Sequence, residues 1–184
     1  MHTNFFEKEE NLKLDENSYL ELINLSHAEE LFSVVDNNRD YLKEWLPWLD
    51  HNKKLEDSKN FIQDSIESFN GNKSVQLVIF NNKKLVGCIG LHNIDWEKEE
   101  TKIGYWISKD AQGKGLVSKA TKILEKYVFE ELKLKKLEIR CAIENNKSRA
   151  IPERLGFKFS KILESNEWLY DHFVDHAVYE KMNL

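Results

Sequence analysis

The stretch Lys109–Ala120, KDAQGKGLVSKA, decides how the rest of the chain is read. Two glycines flank a lysine directly ahead of residues with helical spacing. Leu116, Val117, Ala120, Ile123, Leu124, Tyr127 and Val128 follow the i, i+3, i+4, i+7 rule of one amphipathic face. Glycine weakens a helix by roughly 0.5–1 kcal/mol relative to alanine, so Gly113 and Gly115 need an offsetting use. A helix start leaves four backbone N–H groups without intrahelical partners, and the helix dipole favours negative charge there. Glycines beside those groups let an anion reach the backbone unobstructed. The stretch reads as an anion-binding loop, with Lys114 either a further positive charge or a solvent-facing side chain.

Working outward, "TKIGYWISKD" alternates Ile103, Tyr105 and Ile107 against Gly104, Trp106 and Ser108, the period of a strand feeding the loop. "VQLVIFNNKKLVGCIGLHNID" gives two more strands joined at Asn81–Lys84, because asparagine tolerates turn dihedrals. "SYLELINL" (18–25) is a first strand. Ser26 with Glu29 resembles a capping box, and Ala28, Leu31, Phe32 and Val35 share the face of the helix that follows. "DNN" (36–38) interrupts that helix. A second helix, with Phe61, Ile62, Ser65, Ile66 and Phe69 on one side, ends at Gly71. After the loop, "KLEIRCAIE" alternates with Leu137, Ile139, Cys141 and Ile143 on one face. "NNKSRAIPERL" is a short helix stopped at Gly156, and "FKFSKIL" and "DHFVDHAVYEKM" supply two last strands. The order is β, two helices, three strands, helix, strand, helix, two strands: a mixed α/β sheet without regular βα repetition.

No linker, repeat or low-complexity segment divides the 184 residues, so one domain, 1–184, is expected. Hydrophobic residues make up 41% and charged residues 32%, ordinary for a globular protein. No apolar run approaches 18 residues, and the N-terminus "MHTNFFEKEENLKL" lacks a basic start followed by an apolar stretch. The expectation is a cytoplasmic protein with no membrane partner. Cys88 and Cys141 lie in strand-like runs and read as reduced core thiols. Without C-x-x-C or zinc spacing, no metal is expected. The net charge of −5 argues against direct nucleic-acid binding but leaves room for a local basic pocket and a phosphorylated ligand.

Three phosphate loops compete for Gly113 and Gly115, beside a turn that only starts a helix. A Walker A loop needs G-x-x-x-x-G-K-[ST]; Gly115 and Leu116 follow Lys114, so that reading fails. A dinucleotide fingerprint needs G-x-G-x-x-G; Ser118 stands at its last position, in mid-chain after a strand meander. The third match is Gln112-Gly-Lys-Gly115-Leu-Val117, which resembles the Q/R-x-x-G-x-G/A signature of the GNAT acetyltransferases. "IGYWI" resembles that family's fourth strand, and "ENNKSRAIPERLGF" its later Asn-x-x-Ser motif. "RDYLKEWLPWLD" and "VGCIGLH" resemble the RimJ/RimL branch, which acetylates N-terminal amines of ribosomal proteins. Val117 departs from the usual Gly or Ala, which implies a slightly wider loop.

The resemblance implies a mixed, mostly antiparallel sheet of about six to seven strands, helices on both faces, and a splay between the fourth and fifth strands. It implies acetyl-CoA as cosubstrate. Amides of Gln112, Gly113, Lys114, Gly115, Leu116 and Val117 would hold the diphosphate. Pantetheine would pair with backbone groups of Tyr105, Trp106 and Ile107, with Asn145 and Ser148 on the other wall. As alternatives, Asn145 and Ser148 read as a helix cap and a first-turn residue. Mid-strand Gly104 fits a bulge or a close backbone approach. The expected partners are acetyl-CoA and an amine acceptor, such as a ribosomal-protein N-terminus, and a homodimer is compatible with the reading.

Acetyl transfer requires a neutral amine. A free α-amine, pKa about 7.7–8.0, is roughly one-tenth neutral at pH 7, whereas lysine at about 10.4 is roughly 0.04% neutral. Ser148 is the candidate donor to the leaving thiolate. Pro152 occupies the position where relatives carry a tyrosine and has no proton to donate. Glu167 is the candidate base, acting through water as proposed for RimL-like enzymes, with a solvated glutamate as the alternative. His92 and His172 are further candidates for that role. Lys102 stands where the family often has a glutamate, and Glu100 shares its side of the strand. Asp175 and His176 would point apart as neighbours in a strand. Tyr41, Trp45 and Trp48 read as helix packing or as a wall of the acceptor cleft.

Overall fold

The computed structural model describes residues 12–183; the first eleven residues, most of the segment read above for a leader, lie outside them. The strands are β1 (Leu12–Lys13), β2 (Ser18–Leu22), β3 (Val75–Asn81), β4 (Lys84–Asp95), β5 (Glu100–Ile107), β6 (Lys136–Ala142), β7 (Lys158–Leu169) and β8 (His172–Met182). They form one eight-stranded sheet in the order β1-β2-β3-β4-β5-β6-β8-β7. The pair Leu12–Lys13 adds a strand to the seven expected; two residues at a sheet edge leave no periodicity to read. The helices are α1 (Ala28–Asn37), α2 (Arg39–Lys43), α3 (Leu55–Asn70), α4 (Leu116–Lys126) and α5 (Asn146–Arg154). Among the described residues, no helix is long and apolar enough to cross a membrane.

Local chemistry sets these boundaries. Asn82 and Lys83 both take positive φ, 51° and 62°, and close the β3–β4 hairpin as a two-residue turn. The first helical segment begins two residues earlier than Ser26 suggests. Asn24 accepts from the Ser26 amide and pairs with His27 as a capping box ahead of a 3-10 turn, Leu25–His27. The α1 helix stops at Asn37, where Asn38 ties its side chain to the Val34 carbonyl at 2.8 Å. Beyond Lys126 the α4 helix widens into a π turn, Tyr127–Glu131, closed by the Leu132 amide on the Tyr127 carbonyl at 3.0 Å.

The helices divide the sheet into two faces. On one, Leu77, Ile79, Ile89 and Ile103 pack against Leu116, Ala120 and Leu124 of α4. On the other, Val78, Phe80 and Cys88 pack against Ala28 and Leu31 of α1 and Ile62 of α3. Strands β3 and β4 are buried from both sides, which is why they read as nearly continuous apolar runs. Each such Leu, Ile or Val contributes about 1.5–3 kcal/mol on burial.

The feature that matters for function lies between β5 and β6, the one parallel pair among the described residues. Pairing runs from Glu100 with Lys136 to Ile103 with Ile139 and then stops. Beyond it, Gly104–Ile107 pair with β4, and Arg140–Ala142 pair with β8. The sheet is therefore open between the two strands on the side of the glycine loop.

Candidate active site

The loop at the mouth of this opening has the backbone that its glycines allow. After a 3-10 turn, Lys109–Ala111, Gly113 and Gly115 both lie at φ +73°, a left-handed conformation costly for other residues. A Cβ on either would meet nothing within 4 Å, so the requirement is conformational and not one of space. Gly115 is the N-cap of α4, and no side chain caps the helix. The amide that first closes a helical turn is that of Lys119, onto the Gly115 carbonyl at 3.0 Å. The preceding first-turn amides are left for a ligand. Val117 keeps its amide in that turn and puts its side chain into the core.

Cations gather around these amides. Lys114 is exposed on the loop. Lys147, in the first turn of α5, reaches the Gln112 side-chain oxygen at 3.2 Å. The Gln112 amide nitrogen donates to the Tyr41 hydroxyl, so Gln112 links α2 to the far wall of the opening. Arg154, at the end of α5, donates to the Ser118 hydroxyl at 3.2 Å. An anion here would meet both backbone dipoles and full charges.

Inside the opening, on the α4–α5 face, Tyr105, Cys141 and Ser148 meet. The Tyr105 hydroxyl donates to the Ser148 carbonyl at 3.0 Å. Ser148 Oγ lies 3.3 Å from that hydroxyl and 3.2 Å from Cys141 Sγ. Asn145 caps α5, accepting from the Ser148 amide at 3.1 Å, so the capping role holds for its side chain. Loss of water holds the Tyr105 pKa well above 10.0, and burial also raises the Cys141 thiol. Both stay protonated at neutral pH. Arg149, Tyr179 and Glu153 pin α5 to β8 through bonds of 3.0 and 2.6 Å. Pro152 sits within α5.

The opposite face carries different groups. Trp106 turns toward the helical side, 6.1 Å from Trp48 between ring centres, and Tyr41 and Leu46 pack nearby. The helix-packing reading of these aromatics therefore holds for Tyr41 and Trp48. Gly104 follows the last β5–β6 pair, and a Cβ there would stand 2.9 Å from His92 Nε2. The β4–β5 register is regular through Gly104, so its glycine serves close approach and not a bulge. Lys102 lies 4.0 Å from the buried Glu138, which Arg140 also binds. Glu100 pairs with Lys136 at 2.5 Å. His172 is held by Asp171 at 2.6 Å in the exposed β7–β8 turn.

Glu167 lies on this same face but out on β7, its carboxylate 3.5 Å from His176 Nε2. The β7–β8 register brings them together: Leu163 opposes His176, Glu167 opposes Val174, and Glu164–Asn166 bulge out between. Asn166 contacts His176 Nδ1 at 3.0 Å, and Asp175 accepts from the Ser165 amide at 2.8 Å. Asp175 and His176 do point apart; the partner of His176 is a residue that strand alternation alone does not supply. Thus the fold brings Gln112–Val117, Tyr105, Asn145 and Ser148 around one opening and keeps Glu167 outside its walls. Lys147 and Cys141 join the site although the sequence pattern assigns neither a role there, and His176 stays with Glu167 outside the walls. Among the described residues, no cluster of three or more His, Cys, Asp or Glu is placed to hold a metal.

Comparison with known proteins agrees with this geometry. A family model for the acetyltransferase (GNAT) domain matches residues 19–158. YdaF of Bacillus subtilis (strain 168), whose name assigns it to the ribosomal N-acetyltransferases, is 33% identical over 146 residues, covering 79% of this chain and 80% of its own. The ribosomal-protein-serine acetyltransferase of Escherichia coli (strain K12) is 25% identical over 173 residues, covering 94% and 97%. The crystal structure of the microcin C7 self-immunity acetyltransferase MccE, in complex with acetyl-CoA and AMP, superposes with a TM-score of 0.87 at 29% identity, covering 92% of this chain and 94% of that one.

Proposed function

The chain belongs to the GNAT acetyltransferases and is an acetyl-CoA-dependent N-acetyltransferase; from that premise we propose that its acceptor is a protein N-terminal α-amine, of the kind presented by ribosomal proteins. The observation that carries this reading is the opening between β5 and β6, with a glycine anion loop at its mouth and unlike chemistry on its two faces. Acetyl-CoA supplies an activated acyl group on a thiol leaving group. The free edge of β5 from Gly104 to Ile107 spans about 13 Å at 3.3 Å per residue, room for an extended two-amide arm. The diphosphate then falls at the Gly113–Val117 amides, with Lys114 and Lys147 as counter-charges; the Gln112 amide, expected to join them, is taken by the Lys109 carbonyl at 3.3 Å, and only its side chain faces the site. The backbone of Tyr105, Trp106 and Ile107 pairs with the arm in the manner of strand addition, and Asn145 forms the wall opposite.

The residues divide the work by face. Ser148, on the α4–α5 face, donates a hydrogen bond to the leaving sulfur. Tyr105 and Cys141 hold its hydroxyl in place. A backbone N–H of the freed β5 edge serves the oxyanion, since a fixed amide needs no reorganisation. Glu167, on the acceptor face with His176 behind it, takes a proton through water from the arriving ammonium. An α-amine needs only this modest help, being roughly one-tenth neutral at pH 7; lysine needs far more. The names of YdaF and the Escherichia coli relative support the same acceptor class.

Thiol release from acetyl-CoA tests the acceptor. A panel of peptides with free N-termini, the same peptides with blocked N-termini, and polyamines is compared at equal concentration. Free N-termini are expected to give the highest kcat/KM, and blocking is expected to remove turnover. Faster turnover of polyamines than of any peptide would assign the site to small amines instead.

A further inference from the structure

Glu167 stands on an outer strand, yet the nitrogen sheds its second proton at the reacting carbon. The reacting end of the opening is where β5 and β6 part, at Gly104. One titratable side chain lies against that glycine. A Cβ on Gly104 would stand 2.9 Å from His92 Nε2 and 3.0 Å from its Cδ2, so only a hydrogen there lets the imidazole cover the strand. His92 faces the acceptor side, opposite Lys102 in the β4–β5 register. Its carbonyl is fixed by the Thr101 hydroxyl at 3.1 Å, and regular pairing with β5 ends just after it. Its ring nitrogens meet no hydrogen-bond partner among the described residues. Lys102 leans to Glu138, and Arg140 binds the same carboxylate. The charged neighbours on β5 and β6 are thus engaged with one another.

We propose that His92 accepts the proton that the acceptor nitrogen sheds as the acetyl group is transferred. The inference rests on the acetyltransferase reading of the same opening. The nitrogen–carbon bond forms and the carbon–sulfur bond breaks, the sulfur leaving with the bonding pair. The proton on the cationic nitrogen passes to His92 Nε2 and then to solvent, which also supplies the proton of the free thiol. The hydrogen-bond donor to the sulfur and the acceptor of the nitrogen's proton therefore act from opposite faces of the sheet, Ser148 from one and His92 from the other. Glu167 handles the earlier proton of the ammonium. Packing of neighbouring atoms around the ring holds the imidazole below its ordinary pKa of 6.5, while the residue as a whole stays exposed to solvent. It is neutral, and so able to accept, at pH 7.

His92→Gln and His92→Ala are compared with wild type on whichever amine of the panel turns over. His92→Gln is expected to lower kcat at least tenfold, to leave the acetyl-CoA Kd within twofold, and to flatten the acid limb of kcat/KM below pH 6.5. Added imidazole is expected to restore part of the turnover of His92→Ala. Independently of turnover, the His92 ring resonance in the free protein is expected to titrate below pH 6.5, at the pH of that limb. It is also expected to shift when acceptor peptide is added with CoA. Turnover of His92→Gln within twofold of wild type, or an acid limb unchanged in that variant, would overturn the proposal. The wild type's preference within the panel reads the α-amine assignment separately, because the variant ratio is taken on the preferred amine.

Discussion

At Ser148 the backbone and the side chain serve different partners. The amide is taken by Asn145 as the helix cap, while the hydroxyl turns into the opening beside Tyr105 and Cys141. Removing the hydroxyl leaves the cap intact, so Ser148→Ala should fold with little loss. It takes away a donor to a developing thiolate, and a hydrogen bond to a charged group contributes roughly 1.5–3 kcal/mol. The expected fall in kcat is about 10- to 150-fold, with the acetyl-CoA Kd unchanged by calorimetry. Equal loss of affinity and turnover would make the serine a binding residue only. The cap and the donor were both readable from Asn-x-x-Ser as rival roles; the fold shows that one residue's backbone and side chain can separate them. The neighbours of that hydroxyl were not readable. Cys141 lies in β6 and Ser148 in α5, and their meeting depends on how that helix settles on the strand.

Among elements, the strand–loop–helix unit from β5 to α4 was the most legible, because its two periods change abruptly across two glycines. The sites that escaped were those made by irregular pairing. Glu167 reaches His176 only because three residues bulge from β7 against one of β8, and strand alternation predicts no such meeting. Asn24 and His27 were overlooked as a cap because Ser26 and Glu29 carry the same spacing two residues on. The turn after β7 has a further structural consequence. Tyr170, at φ 61°, donates to the Leu46 carbonyl at 2.6 Å, and Lys43 sits 4.4 Å over its ring. This contact joins the β7–β8 hairpin to the segment after α2 across the acceptor face. Tyr170→Phe removes a hydrogen bond that contributes about 0.5–1.5 kcal/mol and loosens that wall alone. The KM for an acceptor peptide should rise about two- to tenfold, with the acetyl-CoA Kd constant. An unchanged peptide KM would place the acceptor elsewhere.

At the scale of the molecule, the sheet is two blocks joined by a short seam. Strands β1 to β5 form one, β6 to β8 the other, and four residue pairs from Glu100–Lys136 to Ile103–Ile139 hydrogen-bond them. Helices α4 and α5 stand on either side of the opening and meet through side chains, among them Arg154 on Ser118. A ligand in that gap touches both blocks, so its binding energy should appear as cohesion between them. At 100 times its Kd, acetyl-CoA adds about 2.7 kcal/mol to the unfolding free energy. For a chain of this size that corresponds to roughly 5–10 °C in Tm. The location of the effect is the sharper test. Amide hydrogen exchange should slow at Gly113–Ser118 and Tyr105–Ile107, and at Arg140–Ala142 across the gap. Protection confined to the loop would mean that the diphosphate end binds while the arm stays outside the sheet, and the two-faced arrangement of Ser148 and His92 would lose its substrate.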